Sequence, residues 1–549
     1  MSAATVSSPG SASDERSLTD ALAARLLTQP IDAAARARAA RHLLDWLACA
    51  LAGLNTDTGR ALQRFGHTKP LADAPMPALG VGPLDRESAL LINGALGNIL
   101  EMDDIHRTAV LHPGPVIAPL VLTLAAERGA GGHACLDALV RGYEAMIRVG
   151  QALGRGHYRY WHPTATAGAF GAAAAAGSLL GLSAPALRDA MGHAGSVAGG
   201  LWQTRHEPSM TKSWHNARAA QHGLLAAELA AQGFTAPHRI LEGESGLFAA
   251  MCTDPRAQAI TVDAPWALFE TGIKPWPACR HAHAALEAAL CLRAQLIGQV
   301  GDESNGAQWI GRAEQGSDHK QVIGHAGQGS DREQVIGREG HAPGDAKPSV
   351  TIAPSRQPLL NARHVRRVLI ETYDEAIRFC DKPAPITELE AKFSLQQVVA
   401  HALLYGAPGL NDFGAHAREL PDIRRLRECT TVQSDEAFSA AFPNRYGAAV
   451  SVWLDRSIAD ATYDKASGAD SGEVLRVAIT DALGDPARPL DDAGLQAKAS
   501  NTMRWAGLTE TEINTLGEAC LALADDAPLE ALLAPLRQWS ARHRQENTP

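Results

Sequence analysis

Apolar residues recur at helical spacing through most of the first half of the chain. After Asp32, a predicted N-cap, they repeat every three to four residues until Gly53 ends the run. Residues 166–182 are almost all small or apolar, which indicates a helix buried on every side. Further helices are predicted over 87–100, 116–126 and 217–232. Residues 17–268 are therefore predicted to form helices.

Downstream of Ile273 the spacing changes. Residues 364–372, 448–454 and 474–479 alternate apolar and polar positions, as strands do. Helical spacing predicts a helix before these segments, over 283–296, and another between them, over 389–405. It returns over 491–544.

These patterns predict a mainly α fold with two domains. Residues 17–268 and 486–549, from both ends of the chain, are predicted to form a large all-helical domain. Residues 269–485 are predicted to form a smaller α+β domain.

Two stretches are predicted to lie outside the packed domains. Residues 1–16 are small and polar, which predicts a disordered tail. Residues 301–358 contain a repeat of period 13, seen in GSDHKQVIGHAG and GSDREQVIGREG. Stacked units could form a small β-solenoid. Each unit has only about two apolar residues to bury, which favours a low-complexity insertion.

Composition excludes several classes of function. The formal charge of −10 argues against nucleic acid and anionic membranes, which need a basic face. No apolar run reaches the ~18 residues of a membrane span. Eight cysteines without a C-x-x-C pair indicate reduced thiols in a cytoplasmic protein. No P-loop, H-E-x-x-H or G-x-S-x-G is present, which leaves acid/base chemistry without a nucleotide, cofactor or metal.

Two acidic or imidazole-bearing segments stand out in apolar surroundings. Residues 101–114, here called the acidic loop, carry Asp103, Asp104 and His112, which are general acid/base groups. His162 directly precedes the buried helix, whose N-terminus would attract a carboxylate. Helix capping is the alternative explanation for both segments.

Two further segments are cationic. Lys212 lies just before an amphipathic helix and could receive a carboxylate, although a solvated helix start explains it better from composition alone. The segment KPWPACRHAH holds Lys274 and Arg280. Its Cys279 and its two histidines, including His283, could suggest a metal. Residues two apart do not share a helix face, and no partner pair has ligand spacing, so we predict none.

These segments, in this order, resemble the MmgE/PrpD family, which includes 2-methylcitrate dehydratases and cis-aconitate decarboxylases. The matching pieces are EMDDIHRTAVLHPG, HPTATAGAFGAAAAAG, MTKSWHNARAAQHG, KPWPACRHAH, LEAKFSLQ and AFPNRYGAAVSVWL. The resemblance covers about 17–536 except the repeat insertion. It implies a homodimer that needs no metal, with an active site between the helical domain and an α+β lid.

Carried over residue by residue, the resemblance and the chemistry assign site residues. The predicted catalytic residues are Asp104, His112, His162, Lys212 and His283, and the predicted substrate-binding residues are Asp103, Lys274 and Arg280. A histidine can donate or accept a proton near neutral pH, and cations can stabilise a developing enediolate. We expect His162 to be the general base or acid and Lys212 to anchor a carboxylate.

The predicted function is a cofactor-free lyase that dehydrates a small hydroxy-polycarboxylate resembling 2-methylcitrate. The alternatives are an epimerase of a small diacid, a decarboxylase of an unsaturated tricarboxylate and a non-catalytic helical scaffold. Two departures from the family pattern leave the substrate open. Glu101 stands where many relatives have Asp, and Phe379 and Cys380 stand where relatives carry Tyr.

Overall fold

The computed structural model describes residues 16–207, 209–300, 362–454 and 474–547. Helices account for most of these residues, which confirms the mainly α class. The predicted tail, up to residue 15, and the predicted repeat insertion lie outside the described residues.

Helices form almost all of the chain up to residue 300. Their bounds are α1 Leu18–Thr28, α2 Ala33–Gly53, α3 Asp57–His67, α4 Arg86–Leu96, α5 Gly114–Glu127, α6 Gly132–Ala152, α7 Gly154–His157, α8 Pro163–Leu180, α9 Ala184–Ser196, α10 Thr211–Ala231, α11 Leu247–Met251, α12 Gln258–Thr261 and α13 His283–Val300.

Shorter helices follow, and longer ones return near the end of the chain. Their bounds are α14 Asp374–Cys380, α15 Glu388–Lys392, α16 Leu395–Tyr405, α17 Ala415–Arg418, α18 Pro421–Glu428, α19 Glu436–Ala441, α20 Asp492–Trp505, α21 Glu510–Ala522 and α22 Glu530–Asn547.

The predicted helix ends follow recognisable capping chemistry. The side chain of Asp32 accepts a hydrogen bond from the Ala35 N–H at 2.8 Å, and α2 ends at Gly53 as predicted. The buried helix α8 begins at Pro163, slightly earlier than predicted, because proline suits a first-turn position that needs no N–H partner. It ends before Gly181, whose φ of 68° is left-handed.

Helix α10 begins earlier than its apolar spacing predicts. It starts at Thr211 rather than at residue 217, so Lys212 and His215 lie in its first turns and not in a preceding loop. Helices α6 and α10 both pack against α8. A Cβ added at Gly223 would lie 2.3 Å from the Ala172 Cβ, which shows how closely α10 and α8 approach.

A two-stranded ladder reaches the acidic loop. Strand β1, Ile105–His106, pairs antiparallel with β2, Thr271–Gly272. This short pairing places the chain just before Lys274 against the acidic loop.

The larger sheet contains four strands, with the order β4-β3-β5-β6. Strands β3 (Val365–Thr372) and β4 (Thr430–Ser434) run parallel, whereas β5 (Ala448–Leu454) is antiparallel to β3 and to β6 (Val474–Ile479). Strands β5 and β6 have the predicted bounds, and β3 begins one residue later than predicted. The helix predicted over 389–405 is divided into α15 and α16.

Buried apolar side chains form two principal clusters. The larger one joins Leu47 and Leu120 of the early helices to Leu516 and Leu536 of α21 and α22. The smaller one joins α13 and α16 to the four-stranded sheet. The predicted domain boundaries, 17–268 with 486–549 and 269–485, stay a prediction that these clusters support. Within the described residues, none of the helices combines the length and apolar character needed to span a membrane.

Candidate active site

Asp103 is the buried centre of the acidic loop. Its Oδ2 accepts a hydrogen bond from Asn98 Nδ2 at 2.6 Å and lies 3.1 Å from His112 Nδ1. Its Oδ1 lies 3.3 Å from Lys274 Nζ. Burial by itself would raise the pKa of Asp103, but His112 and Lys274 outweigh burial and hold the pKa well below its ordinary value. Asp103 therefore carries a negative charge. This charge pairs with Lys274, which was predicted to bind the substrate.

Glu101 holds both predicted lysines. It forms an ion pair with Lys212, and its Oε2 lies 3.9 Å from Lys274 Nζ. Burial opposes ionisation of Glu101, but the two lysines outweigh it and lower the pKa of the carboxyl. The backbone of Glu101 has a φ of 57°, which is uncommon for a residue other than glycine and is typical of functional loops.

His162 is the N-cap residue of α8 and is almost completely buried. Its Nδ1 lies 3.3 Å from the Nδ1 of His215, so one ring must donate and the other accept. Its Nε2 has no hydrogen-bond partner within the described part of the chain. Burial, with the nearby charges of Lys212 and His215, lowers the pKa of His162 well below its ordinary value. A neutral imidazole with an unpaired nitrogen can accept a proton.

His112 connects the acidic loop to the start of α8. Its backbone N–H donates to Thr164 Oγ1 at 3.1 Å, and Thr164 lies in the first turn of α8. Its Nδ1 lies 2.7 Å from the backbone oxygen of Asp104 and close to the Asp103 carboxylate. A proton on Nδ1 leaves Nε2 as the nitrogen available for chemistry.

Asp104 points away from these groups into the helical core. Its Oδ1 accepts a hydrogen bond from the Gly114 N–H at 2.9 Å, and its Oδ2 accepts one from the Tyr143 hydroxyl at 2.8 Å. His42 Nδ1 lies 2.9 Å from the same Oδ2. Because both oxygens are engaged on the core side, we propose that Asp104 positions the acidic loop and does not transfer protons.

The partners of His283 and Arg280 are groups other than the acidic loop's carboxylates. His283, the first residue of α13, is completely buried and has its Nε2 3.1 Å from the Ala278 carbonyl oxygen. Burial, with Arg280 and Lys274 nearby, lowers its pKa well below the ordinary value. Arg280 forms a buried ion pair with Asp485. We therefore propose supporting roles for both residues.

The histidine that faces open space in this segment is His281. It lines a pocket, and its Nδ1 lies 2.7 Å from the Tyr373 hydroxyl. Burial and the charges of Arg280 and Arg205 lower the pKa of His281 to about 3. The predicted site residues include His283 and not His281. The short 3₁₀ turn of residues 280–282, which precedes His283, is not visible in the apolar spacing.

The pocket has a volume of about 400 Å³ and lies where the α7–α8 connection meets α14. We call it the arginine pocket. Its charged lining residues are Arg155, Arg159, Arg205, Arg256, Arg378 and Glu375. Pro163, which follows His162, also lines it, so the pocket adjoins the acid/base residues. These arginines are not among the predicted site residues, because they come from separate segments without a shared motif.

Aromatic rings surround Phe379, which with Cys380 is one of the expected departures from the family pattern. Phe379 stacks on His281 with a ring separation of 5.3 Å and meets Tyr158 edge-on at 5.6 Å. Two tyrosines, Tyr373 and Tyr446, also lie against His281. The hydroxyl of Tyr373 contacts the imidazole, so the region keeps a phenol although position 379 lacks one.

In the described ranges, no three His, Cys, Asp or Glu side chains are placed to hold a metal ion. The predicted independence from metals stays a prediction.

Two family models match the chain. The MmgE/PrpD N-terminal domain matches residues 20–260, and the MmgE/PrpD C-terminal domain matches residues 353–522. The chain belongs to the MmgE/PrpD family. The acidic loop, His162 and Lys212 of this MmgE/PrpD protein lie within the N-terminal match, and α14 lies within the C-terminal match.

The protein is also similar to several curated relatives. The cis-aconitate decarboxylase-like protein oryM of Aspergillus oryzae is 34% identical over 231 residues, which are 39% of this chain and 46% of that protein. The cis-aconitate decarboxylase of Aspergillus terreus is 31% identical over 286 residues, 48% of this chain and 57% of the relative. The human cis-aconitate decarboxylase is 23% identical over 350 residues, 62% and 59% of the two chains. The matches thus span about half the length of these relatives.

Proposed function

We propose that this MmgE/PrpD protein is a cofactor-free lyase that uses acid/base catalysis on a small polycarboxylate. The observation that carries the proposal is the buried His162, whose Nε2 has no hydrogen-bond partner in the described chain and whose neighbour Pro163 lines the arginine pocket. A buried polar nitrogen without a partner is costly unless a ligand supplies one. The position therefore suits a proton taken from a bound substrate.

Dehydration is the first candidate reaction. His162 Nε2 takes the proton from the carbon next to a carboxylate, and the electron pair left behind forms the new C=C bond as the C–O bond breaks. The departing hydroxide takes a proton from a second group and leaves as water. His112 is our candidate for that group, because Asp103 lies 3.1 Å from its Nδ1 and would be the counter-ion of an imidazolium.

Decarboxylation of an unsaturated tricarboxylate is the second candidate. The similar proteins from both Aspergillus species and from human have names that refer to cis-aconitate decarboxylase. This reaction breaks a C–C bond, releases CO₂ and places a proton on the carbon that receives the electron pair. It uses the same kind of proton-transfer group and the same carboxylate contacts as dehydration.

A substrate panel in D₂O separates these reactions. Full-length protein is incubated with 2-methylcitrate, citrate, cis-aconitate and small chiral diacids, and products are followed by ¹H NMR and CO₂ release. A new alkene without CO₂ identifies a dehydratase, and CO₂ identifies a decarboxylase. Deuterium uptake at a stereocentre that inverts, without an alkene and without CO₂, identifies the epimerase alternative. Folded protein that changes none of these compounds would contradict the proposal.

The remaining expectations stay predictions with direct tests. Light scattering of the purified protein tests the homodimer that the resemblance implies. Dialysis against a chelator, followed by metal analysis and an activity measurement, tests metal independence. Fractionation of the source cells tests the cytoplasmic location, which rests on the free cysteines.

A further inference from the structure

The lysines expected to anchor the substrate are already neutralised. Lys212 pairs with Glu101, and Lys274 lies 3.3 Å from Asp103 and 3.9 Å from Glu101. Two positive and two negative charges cancel. These four side chains therefore offer little net attraction to a polycarboxylate, and its binding requires other cations.

The arginine pocket supplies those cations. Five arginines and one glutamate are its charged lining residues among the described ranges, so their formal charge is 5 − 1 = +4. Glu375 pairs with Arg155, which leaves the other four arginines without that counter-ion. Because the whole chain carries −10, this is a local concentration of positive charge against the overall sign.

Arg205 is held in place by aromatic rings. Its guanidinium carbon lies 4.2 Å from the ring centre of Trp202, 4.9 Å from that of Phe379 and 5.0 Å from that of Tyr158. Its Nη2 donates to the Tyr158 carbonyl oxygen at 3.3 Å, whereas Nε and Nη1 have no hydrogen-bond partner in the described chain. A planar guanidinium fixed by cation–π contacts, with donors unused, is preorganised for a carboxylate.

Trp202 links this arginine to the acid/base residues. Its ring lies 4.2 Å from the guanidinium carbon of Arg205 and 4.3 Å from the ring centre of His162. Arg378 belongs to α14 and also lines the pocket, and its side chain is exposed. Arg205 and Arg378 come from different segments but both lie near the ring of Phe379, at 4.9 Å and 5.9 Å from its centre, so one anion in the pocket can contact both.

We propose that the arginine pocket is the subsite for the substrate carboxylates that do not react, and that Arg205 and Arg378 select tricarboxylates over dicarboxylates. The inference rests on the proposed function, because it takes His162 as the reacting end. One carboxylate lies beside the bond that changes, and Arg205 and Arg378 each bind one of the others.

Calorimetric binding of two unreactive probes tests this subsite. Full-length protein is titrated with tricarballylate, a saturated tricarboxylate without a hydroxyl, and with glutarate, a dicarboxylate. The variants are Arg205→Gln, Arg205→Lys and Arg378→Gln. Arg64→Gln is the matched control, since Arg64 is an exposed arginine of α3 outside the pocket.

We expect wild type to bind tricarballylate more tightly than glutarate. Each Gln variant should lose about tenfold in tricarballylate affinity and less in glutarate affinity, because a charge-assisted contact is removed. Arg205→Lys should lie between wild type and Arg205→Gln, since lysine keeps the charge but not the planar fork. Arg64→Gln should stay within about twofold of wild type.

Several results would overturn the inference. One is equal affinity of wild type for tricarballylate and glutarate. Another is wild-type tricarballylate affinity in the pocket variants, and a third is a loss in Arg64→Gln as large as theirs. Arg378 is exposed, so its variant keeps the test valid if Arg205 variants fold poorly. Because the probes do not react, the binding result remains valid even if the protein lacks the proposed lyase activity. If the protein is an active lyase and the pocket variants bind tricarballylate as wild type does, only the subsite is refuted.

Discussion

Substitution of Asp104 separates a positioning role from proton transfer. The carboxylate accepts hydrogen bonds from the Gly114 N–H and the Tyr143 hydroxyl and lies 2.9 Å from His42 Nδ1. Its backbone oxygen lies 2.7 Å from His112 Nδ1, so the position of Asp104 also fixes the orientation of that imidazole.

The magnitudes follow from the partners that each substitution leaves. Asp104→Ala removes the acceptor of two buried donors, each of which costs about 1–3 kcal/mol when left unpaired. With the loosened contact to His42, we expect a loss of about 3–6 kcal/mol, a large part of a typical domain's stability. Asp104→Asn keeps the size and one oxygen for Gly114. Its amide can donate to Tyr143 and His42, so only about 1–2 kcal/mol is lost.

Urea unfolding followed by circular dichroism, together with steady-state kinetics, measures both effects. We expect Asp104→Asn to be folded, slightly less stable and within about tenfold of wild-type kcat. A residue that transfers protons would instead lose about 10²–10⁴-fold in kcat on the same substitution. An Asp104→Asn protein with wild-type stability and a loss beyond 100-fold in kcat would show that the positioning argument is wrong.

Three further predictions concern the base, the pH dependence and the helix packing. His162→Asn should lower kcat by about 10²–10⁴-fold with little change in unfolding temperature, and near-normal kcat would transfer the role of base to His112. Burial lowers the pKa of His42 to about 4, whereas an unfolded histidine has a pKa near 6.5. The unfolded chain therefore binds more protons below pH 6.5, and about 3 kcal/mol of stability present above that pH is lost as the pH falls towards 4. Urea midpoints at pH 7 and pH 5 measure this loss, and a higher midpoint at pH 5 would contradict it. Gly223→Val should lower the melting temperature strongly, because a Cβ there lies 2.3 Å from Ala172 and 2.5 Å from a backbone nitrogen, whereas Gly517→Ala, with open space around it, should not.

Strands β5 and β6 were the elements that the sequence located best, because their bounds agree with the prediction. Strand β5 is buried on both faces, whereas the residues of β6 alternate between exposed and partly buried positions. Strand β4 escaped prediction because its residues, TTVQS, are mostly polar and largely exposed, so they show no apolar period. Tertiary pairing with β3 makes it a strand.

Local capping explains where one long predicted helix breaks. Residues 389–405 keep helical apolar spacing, but Ser394 is an N-cap whose side chain accepts from the Gln397 N–H at 3.0 Å. Serine at such a position was a visible signal for a new helix start. Apolar spacing alone could not show that the chain interrupts its hydrogen bonding there.

The site residues were harder to assign, because neighbouring residues can point in opposite directions. Asp103 faces the lysines whereas Asp104 faces the core, and His281 lines the pocket whereas His283 is buried behind it. Motif resemblance selects the segment, but the turn geometry at each helix start decides which side chain reaches the cleft. That geometry depends on tertiary contacts and is not encoded in spacing.

Charge balance offers the constraint that local motifs do not. The side chains of Glu101 and Asp103 balance those of Lys212 and Lys274, so the polyanionic substrate of the proposed function requires cations from another part of the chain. Coulomb attraction between a carboxylate and a cation is about 4 kcal/mol at 4 Å near a protein surface, and it vanishes when an internal carboxylate cancels the cation. The fold answers this requirement by bringing arginines from distant segments, such as Arg205 and Arg378, to one pocket. The acidic loop contacts Lys212, Lys274 and His112. On the proposed function, it therefore holds these groups in place, and the arginine pocket attracts the substrate.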